Sequence, residues 1–423
     1  SVIWAVTSAF RARAPLAALQ ISRRCSARPP HPLNQLLLEL TMRPLGILLG
    51  LLPCLSSTLA PAQTAPSPAE GAPAAPTYEG RAAPPTSAGR KLEGVTLTPG
   101  LEVFAQHAYR RPETQDAAGA RPPEWFHEFD VPRVHLALTA ETDQVMGRVL
   151  VEAVRSAENG ALVGVSGDSL VARLREGYGG YRGVSWLEVN AGLIPTLTLP
   201  ELEGTWKLRA VGAAPQEEAG LLSPADIGGS ARVLLPGSGP EADSSYGWIG
   251  AAAYNGEGYT NRELNRGKNF ELAASIHPVS SGMLRALAMF AGYTKGSKGT
   301  GLSRSDRATG ALLWQGTFLR AGAGFTYAWG LRDSGSTRSW MIDGFANLTP
   351  WKGLIAALRA SNWRRSTATD DSILSLTGAV GWEFDPALQT FLAVTRSLPS
   401  DDAQAALPDS DYLEARAVAR VAF

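Results

Sequence analysis

The chain has 423 residues, with 39 basic and 39 acidic side chains, so its formal net charge is zero at pH 7. Apolar residues make up 44% of the sequence, and no run of 18 apolar residues occurs after residue 62. Ordinary transmembrane helices are therefore excluded from the body of the protein. The balanced charge also lacks the basic excess that nucleic-acid binding requires, so we expect no nucleic-acid partner.

Residues 42–62 have the layout of a secretory signal peptide. A basic residue after Met42 precedes an apolar stretch and an A-x-A ending, APA. Because this signal starts at an internal methionine, we interpret residues 1–41 as a non-native upstream extension, with an organellar transit peptide as the alternative. A lipoprotein anchored through Cys54 is a second alternative. Cleavage after Ala62 would leave 33 basic and 38 acidic residues, a net charge of −5, and no cysteine.

Residues 63–93 are rich in proline and alanine and include the run TAPSPAEGAPAAP. Such a composition cannot bury a core, so we predict a disordered linker. The remaining residues, 94–423, are predicted to form one domain.

This domain alternates with a period of two residues. In LRAGAGFTYAWGLR, large apolar residues such as Phe325 alternate with small or polar ones such as Thr326. Since successive side chains of a strand point to opposite sides, the pattern predicts strands with one apolar face. Frequent glycines inside these segments disfavour helices. We predict sixteen strands, near residues 101–110, 129–140, 144–156, 168–178, 184–196, 229–236, 246–255, 268–279, 284–296, 306–317, 319–331, 338–347, 354–365, 372–384, 388–397 and 411–423.

The connections between these segments tend to alternate between long polar loops and short turns. Residues 198–228 and 256–267 form long loops, whereas 141–143 and 179–183 are predicted as short turns. Aromatic residues lie mostly near the segment ends, although an ordinary soluble core would also explain them. These features predict an all-β fold, a transmembrane antiparallel β-barrel of about 16 strands with short periplasmic turns and longer external loops.

Two stretches resemble a known family. AAYNGEGYTNRELNRGKNFELAASIHP is similar to the NGEG loop and following strand of the phosphate-selective porin O/P-like family of bacterial outer-membrane porins. Phe423, preceded at alternate positions by Val421 and Ala419, resembles the C-terminal signature that the barrel assembly machinery recognises. The resemblance implies an outer-membrane location, contact with outer-membrane lipid, a sixteen-stranded and often homotrimeric barrel, and passive passage of small hydrophilic or anionic solutes.

A barrel of this width leaves an aqueous lumen, whose selectivity depends on the charges lining its narrowest part. An arginine facing lipid near the midplane would cost about 2–4 kcal/mol, so charged residues on the strands are expected to point inward. The arginines could attract anions across a field set up by the acids, or the charges could pair and only hydrate the wall. The predicted pore-lining residues are Arg133, Arg148, Glu152, Arg173, Arg175, Glu188, Glu271, Arg320, Arg359, Glu383, Glu414, Arg416 and Arg420.

The longest loop, residues 198–228, follows the fifth predicted strand. In general porins this loop folds into the lumen, and the resemblance implies the same here; a surface loop is the alternative. Its candidates for a constriction are Glu201, Glu203, Lys207 and Arg209.

Catalysis has little support in the sequence. The predicted mature chain has four histidines, and it contains neither a G-x-S-x-G nor an H-E-x-x-H motif. We therefore predict no catalytic residue, no metal site, no cofactor and no enzymatic activity. The predicted function is an outer-membrane porin for passive diffusion of ions and small solutes, with an anion or phosphate preference as a candidate property. The alternatives are a non-conducting barrel with an adhesion or structural role and, less favoured, an outer-membrane barrel hydrolase.

Overall fold

A computed structural model describes residues 90–92, 94–112, 126–155, 170–237, 245–261, 263–331, 334–407 and 410–423. The predicted upstream extension, the predicted signal peptide and nearly all of the predicted linker lie outside these residues. At the end of the linker range, strand β1, Arg90–Leu92, pairs with residues 95–97.

Sixteen antiparallel strands close into a barrel, which confirms the predicted fold. Each barrel strand pairs with the next one in the chain, and the last pairs with the first. Every predicted segment overlaps one of them, because the period-two pattern reports directly which residues are strands. The barrel strands are β2 Val95–Pro112, β3 Phe126–Glu141, β4 Val145–Arg155, β5 Leu170–Val184, β6 Leu187–Pro195, β7 Ala225–Pro236, β8 Ser245–Tyr254, β9 Asn269–Ile276, β10 Leu287–Lys295, β13 Asp306–Gln315, β14 Leu319–Leu331, β15 Ser334–Trp351, β16 Leu354–Ser366, β17 Asp371–Asp385, β18 Leu388–Pro399 and β19 Tyr412–Ala422.

The remaining elements are short and lie in the connections. Strands β11, Ser297–Lys298, and β12, Ser303–Arg304, form a small hairpin of their own. The helices are α1 Leu199–Trp206, α2 Pro215–Glu218 and α3 Asp401–Ala406, with a 3₁₀ turn at Met283–Ala286. Among the described residues, no helix combines the length and the apolar character that a membrane span would need.

The exterior of the barrel is apolar. In β9, Leu272 is 64% exposed while its neighbour Glu271 is only 2% exposed, so alternate residues face out and in. Many large apolar side chains on other strands are likewise exposed, including Leu358 and Leu392. A closed barrel with an apolar outside and all strand edges paired is suited to a lipid bilayer, where unpaired backbone groups would be costly.

The chain terminus forms the seam of the barrel. Phe423 donates its backbone N–H to Leu101 O at 2.8 Å and accepts from Leu101 N at 3.0 Å. The last strand, β19, thus pairs with the first barrel strand, β2, and closes the barrel. We call the end of the barrel at which Phe423 and Leu101 lie the Phe423 end.

Two expectations about the connections differ from the structure. Residues 179–183, predicted as a turn, lie inside β5, and the turn to β6 is formed by residues 185–186. A Cβ on Gly180 would lie 2.5 Å from Asn190 Oδ1, so this glycine permits close packing within the sheet rather than a turn. At the opposite end, the β14–β15 and β16–β17 connections comprise only residues 332–333 and 367–370, so the predicted alternation of loop lengths holds only in part.

Replacing an exposed side chain by arginine tests the depth of the apolar exterior. Leu392 is 69% exposed in the middle of β18, and Phe384 is 65% exposed beside a turn. We expect Leu392→Arg to lower the free energy of unfolding by about 2–4 kcal/mol, and Phe384→Arg by about 0–1 kcal/mol. Denaturant unfolding in lipid vesicles, followed by tryptophan fluorescence, measures both; equal losses would argue against a membrane-embedded β18.

Candidate functional site

Residues 196–224, here called the inner segment, connect β6 to β7 and carry α1 and α2. Leu197, Leu199 and Val211 of this segment are fully buried. Helix α1 has a proline at its start, where the missing N–H costs no hydrogen bond. It ends at Trp206, and the next residue, Lys207, adopts left-handed backbone geometry and donates its N–H to Glu203 O at 2.8 Å. The predicted loop 198–228 is thus a compact segment packed against the barrel strands.

Side chains of the strands hold the inner segment through its backbone carbonyls. Asn347 Nδ2 donates to Trp206 O at 2.6 Å, and Arg359 Nη1 donates to Ala213 O at 2.6 Å. Arg416 donates to Val211 O. Carbonyls at and beyond a helix C-terminus lack helical partners, so cationic donors are well matched to them.

The start of α1 is fixed to β9 by a buried carboxylate. Glu271 accepts hydrogen bonds from Leu197 N at 3.0 Å, from Tyr254 OH at 2.8 Å and from the Thr198 hydroxyl. Glu201 of α1 accepts from Ser275 Oγ at 2.7 Å. Burial raises the pKa of Glu201 above its ordinary value.

Glu152 of β4 lies at the centre of a group of arginines. Its side chain is fully buried and contacts Arg133 at 3.2 Å, Arg173 at 2.7 Å and Arg175 at 3.3 Å. Tyr259, from the loop after β8, donates its hydroxyl to Glu152 Oε1 at 2.6 Å. A buried carboxylate is tolerated when several charge-assisted hydrogen bonds satisfy it, as here.

The inner segment adds a second set of charges beside this group. Arg209 donates to Glu203 and, at 2.6 Å, to Glu217. Glu203 also lies 4.0 Å from Arg175, and Glu217 lies 4.0 Å from Arg133. We call these seven residues the charged constriction: Arg133, Glu152, Arg173, Arg175, Glu203, Arg209 and Glu217.

The charges of the inner segment reinforce one another. Burial acts to raise the pKa of Glu217, but the attraction and hydrogen bond of Arg209, together with the charges of Arg175 and Arg133, outweigh it and lower the pKa below its usual range. Burial acts to lower the pKa of Arg209, but Glu203 and Glu217 raise it above the ordinary arginine value. Both side chains therefore remain charged at neutral pH.

A β-bulge in β5 places two consecutive charged residues inside the barrel. Leu150 pairs with Glu176 and Val151 pairs with Leu174, so Arg175 is the extra residue between them. Arg175 and Glu176 are both buried, and Glu176 accepts from Arg148 Nε at 2.9 Å. A bulge redirects a side chain that strict alternation would turn outward, which is why the sequence pattern missed Glu176.

Two cavities adjoin the charged constriction. The first has a volume of about 320 Å³ and is lined by Arg173, Glu217 and Tyr259 among others. The second has a volume of about 130 Å³ and is lined by residues that include Arg175 and Arg209, with Leu101 and Ala422 of the Phe423 end. Glu217 lines the first cavity and Glu203 lines the second. Arg209 donates hydrogen bonds to both carboxylates and so connects the two cavities.

The remaining predicted residues fall into two groups. Some hold the inner segment: Glu271, Arg320, Arg359 and Arg416, of which Arg320 lies 3.4 Å from Gly204 O. Others pair along the wall: Arg148 with Glu176, Glu188 with Arg182, Glu383 with Gln389, Glu414 with Arg416, and Arg420 with Glu102. Of the predicted constriction candidates, Glu203 and Arg209 belong to the charged constriction, Lys207 lines the second cavity, and Glu201 bonds to Ser275.

Sequence reasoning missed Glu102, Glu176 and Tyr259. Glu102 alternates with Leu101 and Val103, so the period-two pattern contains the signal that would have found it. Tyr259 lies in a loop, and nothing in its sequence context indicates that it reaches Glu152.

Comparison with protein-family models and with curated protein sequences gives no match. Among solved structures, an anion-selective porin from Comamonas acidovorans is similar over 78% of this chain and all of its own, with TM-score 0.52 and 14% identity. OmpF of Salmonella typhi, in complex with daunomycin, covers 78% of this chain and 98% of its own, with TM-score 0.54 and 12% identity. The outer-membrane channel DcaP of Acinetobacter baumannii is similar over 79% of this chain and all of its own, with TM-score 0.50 and 11% identity.

At these identities the likeness shows the fold. That fold is the barrel of bacterial outer-membrane porins and channels, and the apolar exterior fits outer-membrane lipid. The chain therefore has the fold of outer-membrane β-barrel proteins.

Tyr259 provides a spectroscopic test of the charged constriction. Burial and the neighbouring Glu152 raise its pKa to about 12 from the ordinary value of 10. Below pH 10 the phenol is protonated whether or not the protein is folded, and its hydrogen bond is lost as the pH rises through about 12. The absorbance of tyrosinate at 295 nm is measured against pH for the wild type and for Tyr259→Phe, and the difference between the two curves reports Tyr259 alone. We expect this difference to have its midpoint near pH 12; a midpoint near pH 10 would rule out the contact with Glu152.

Proposed function

We propose that the barrel is a channel for passive diffusion of ions and small solutes across the outer membrane, with a preference for anions. The observation that carries this proposal is the charged constriction between two cavities. It combines four arginines with three carboxylates. Because short turns lie on the periplasmic side of outer-membrane barrels, we assign the Phe423 end to the periplasm.

The anion preference follows from the balance of charge at the constriction. Three of its arginines share the single carboxylate of Glu152, and Arg173 is one-third exposed and lines the first cavity. A passing anion can accept hydrogen bonds from such shared donors, because three guanidinium groups offer more N–H groups than one carboxylate can accept. The anion-selective porin with the same fold supports this direction. Phosphate is one anion of this class, and the family resemblance makes it the first polyvalent solute to test.

A non-conducting barrel is the second candidate, and one observation favours it. Arg209 joins Glu203 and Glu217, and the buried Trp206 packs against Phe345 with ring centroids 5.4 Å apart, so the inner segment occupies much of the lumen. In this alternative the segment acts as a plug and the protein has a structural or adhesion role. Conductance separates the two candidates.

We infer no enzymatic activity. His135 Nδ1 lies 2.9 Å from Glu102, and its Nε2 lies 3.6 Å from Glu152, so carboxylates occupy both sides of the ring. His277 Nδ1 lies 2.6 Å from the backbone carbonyl of Arg285. Neither arrangement presents a base to a nucleophile. Homotrimer formation and recognition of Phe423 by the assembly machinery stay predictions.

Planar bilayers containing the protein under a salt gradient test the channel directly. We expect stepwise conductance and a reversal potential whose sign indicates anion preference, because cationic side chains outnumber carboxylates at the constriction. Folding is verified beforehand by heat-modifiable migration on gels. Absence of conductance from folded protein would favour the plugged barrel, and a cation-selective reversal potential would contradict the proposed anion preference.

Arg173→Gln tests the role of the constriction in selectivity. Removing this partly exposed charge should shift the anion-to-cation permeability ratio toward cations by about two-fold or more. Lys352→Gln is the matched control, since Lys352 is exposed in the β15–β16 turn and also loses one positive charge. The proposal fails if both variants shift the reversal potential equally, or if neither shifts it.

A further inference from the structure

We propose that the second cavity is a binding site for a small organic monoanion with one apolar ring or a short hydrocarbon chain, a carboxylate such as benzoate. The inference rests on the proposed channel function, because the ligand would be a solute in passage, and it deepens that function by naming a solute class.

The charge of the second cavity favours an anion. Its lining includes five cationic side chains, Arg148, Arg175, Lys207, Arg209 and Arg420, against the three carboxylates Glu102, Glu176 and Glu203. Arg148 and Arg420 are engaged by Glu176 at 2.9 Å and Glu102 at 2.6 Å, respectively. Arg175 and Arg209 also contact Glu152 and Glu217, and Glu152 is shared with Arg133 and Arg173. When these residues are included, seven cationic side chains stand against five carboxylates, an excess of two positive charges that one bound carboxylate would reduce.

The other part of the lining is apolar. Leu150 lies between Arg148 and Glu152 on the inward face of β4 and is only 6% exposed, and Pro195 and Pro200 line the same cavity. Leu150 and the prolines therefore provide a surface for a hydrocarbon group.

The size of the cavity restricts that hydrocarbon group. Its volume is about 130 Å³, and a protein cavity of about 150 Å³ is known to hold one benzene molecule. This comparison limits the hydrocarbon group to a single ring or a chain of a few carbons. Arginine guanidinium groups also stack favourably on aromatic rings, which favours benzoate over a purely aliphatic acid.

Calorimetric titration of the folded full chain in lipid nanodiscs tests the site, with empty nanodiscs as the blank. The probes are benzoate, acetate, which has the charge without the ring, and benzylammonium, which has the ring with the opposite charge. We expect benzoate to bind at least ten-fold more tightly than acetate, and benzylammonium not to bind. Equal affinities for benzoate and acetate, or binding of benzylammonium, would overturn the proposal.

Two variants and a control locate the binding. Leu150→Ser should remove the preference for benzoate over acetate, and Lys207→Gln should weaken both anions. Val154→Ser is the control, because Val154 is buried on the same face of β4 but does not line the cavity. If Val154→Ser abolishes the preference as Leu150→Ser does, the apolar wall is not the recognition element and the proposal falls.

Conductance distinguishes failure of this inference from failure of the proposed channel. Benzoate added on the side of the Phe423 end should reduce the chloride current at concentrations where acetate has no effect. Benzoate binding without conductance would support the site and reject the channel. Conductance without selective benzoate binding would support the channel and reject the site.

Discussion

Closure of the backbone hydrogen-bond network is the constraint on which the whole molecule depends. In a bilayer no water is present to satisfy a strand edge, so the last strand has to pair with the first. The pairing continues to the final residue, where Phe423 exchanges both backbone hydrogen bonds with Leu101. Closure fixes the register of all sixteen strands, and the register decides which inward side chains meet across the lumen.

The lumen shows how a charged wall can be buried without leaving charges unpaired. Glu152 accepts from three arginines of β3 and β5, and a tyrosine from the loop after β8 adds a fourth donor. The inner segment presents backbone carbonyls to Asn347 and Arg359, so its helix end is satisfied by the barrel wall. The two views of the inward arginines, an anion-attracting ladder or mutually paired wall charges, are therefore not exclusive. Most of these arginines are paired, and a positive excess remains where the inner segment meets β3–β5.

Most of the fold could be predicted because its signal is local. Phe325 and Thr326 alternate within one strand, and that alternation needs no knowledge of any neighbour. The same rule failed at Glu176, since a bulge changes the phase between two residues that look regular in sequence. It also failed at residues 179–183, where glycines that indicate a turn instead allow close packing inside the sheet. The contact of Tyr259 with Glu152 joins residues 107 positions apart, and no local pattern encodes such a distance.

The sequence by itself determined that this is a barrel of about sixteen strands and which of its faces are apolar. These properties follow from a two-residue period and from the composition of the connections. Only the tertiary structure decided which charges share a site. Arg133, Glu152 and Arg209 come together because strand register and the path of the inner segment bring them within contact distance. Both depend on closure of the barrel, which is a property of all strands together and not of any one segment.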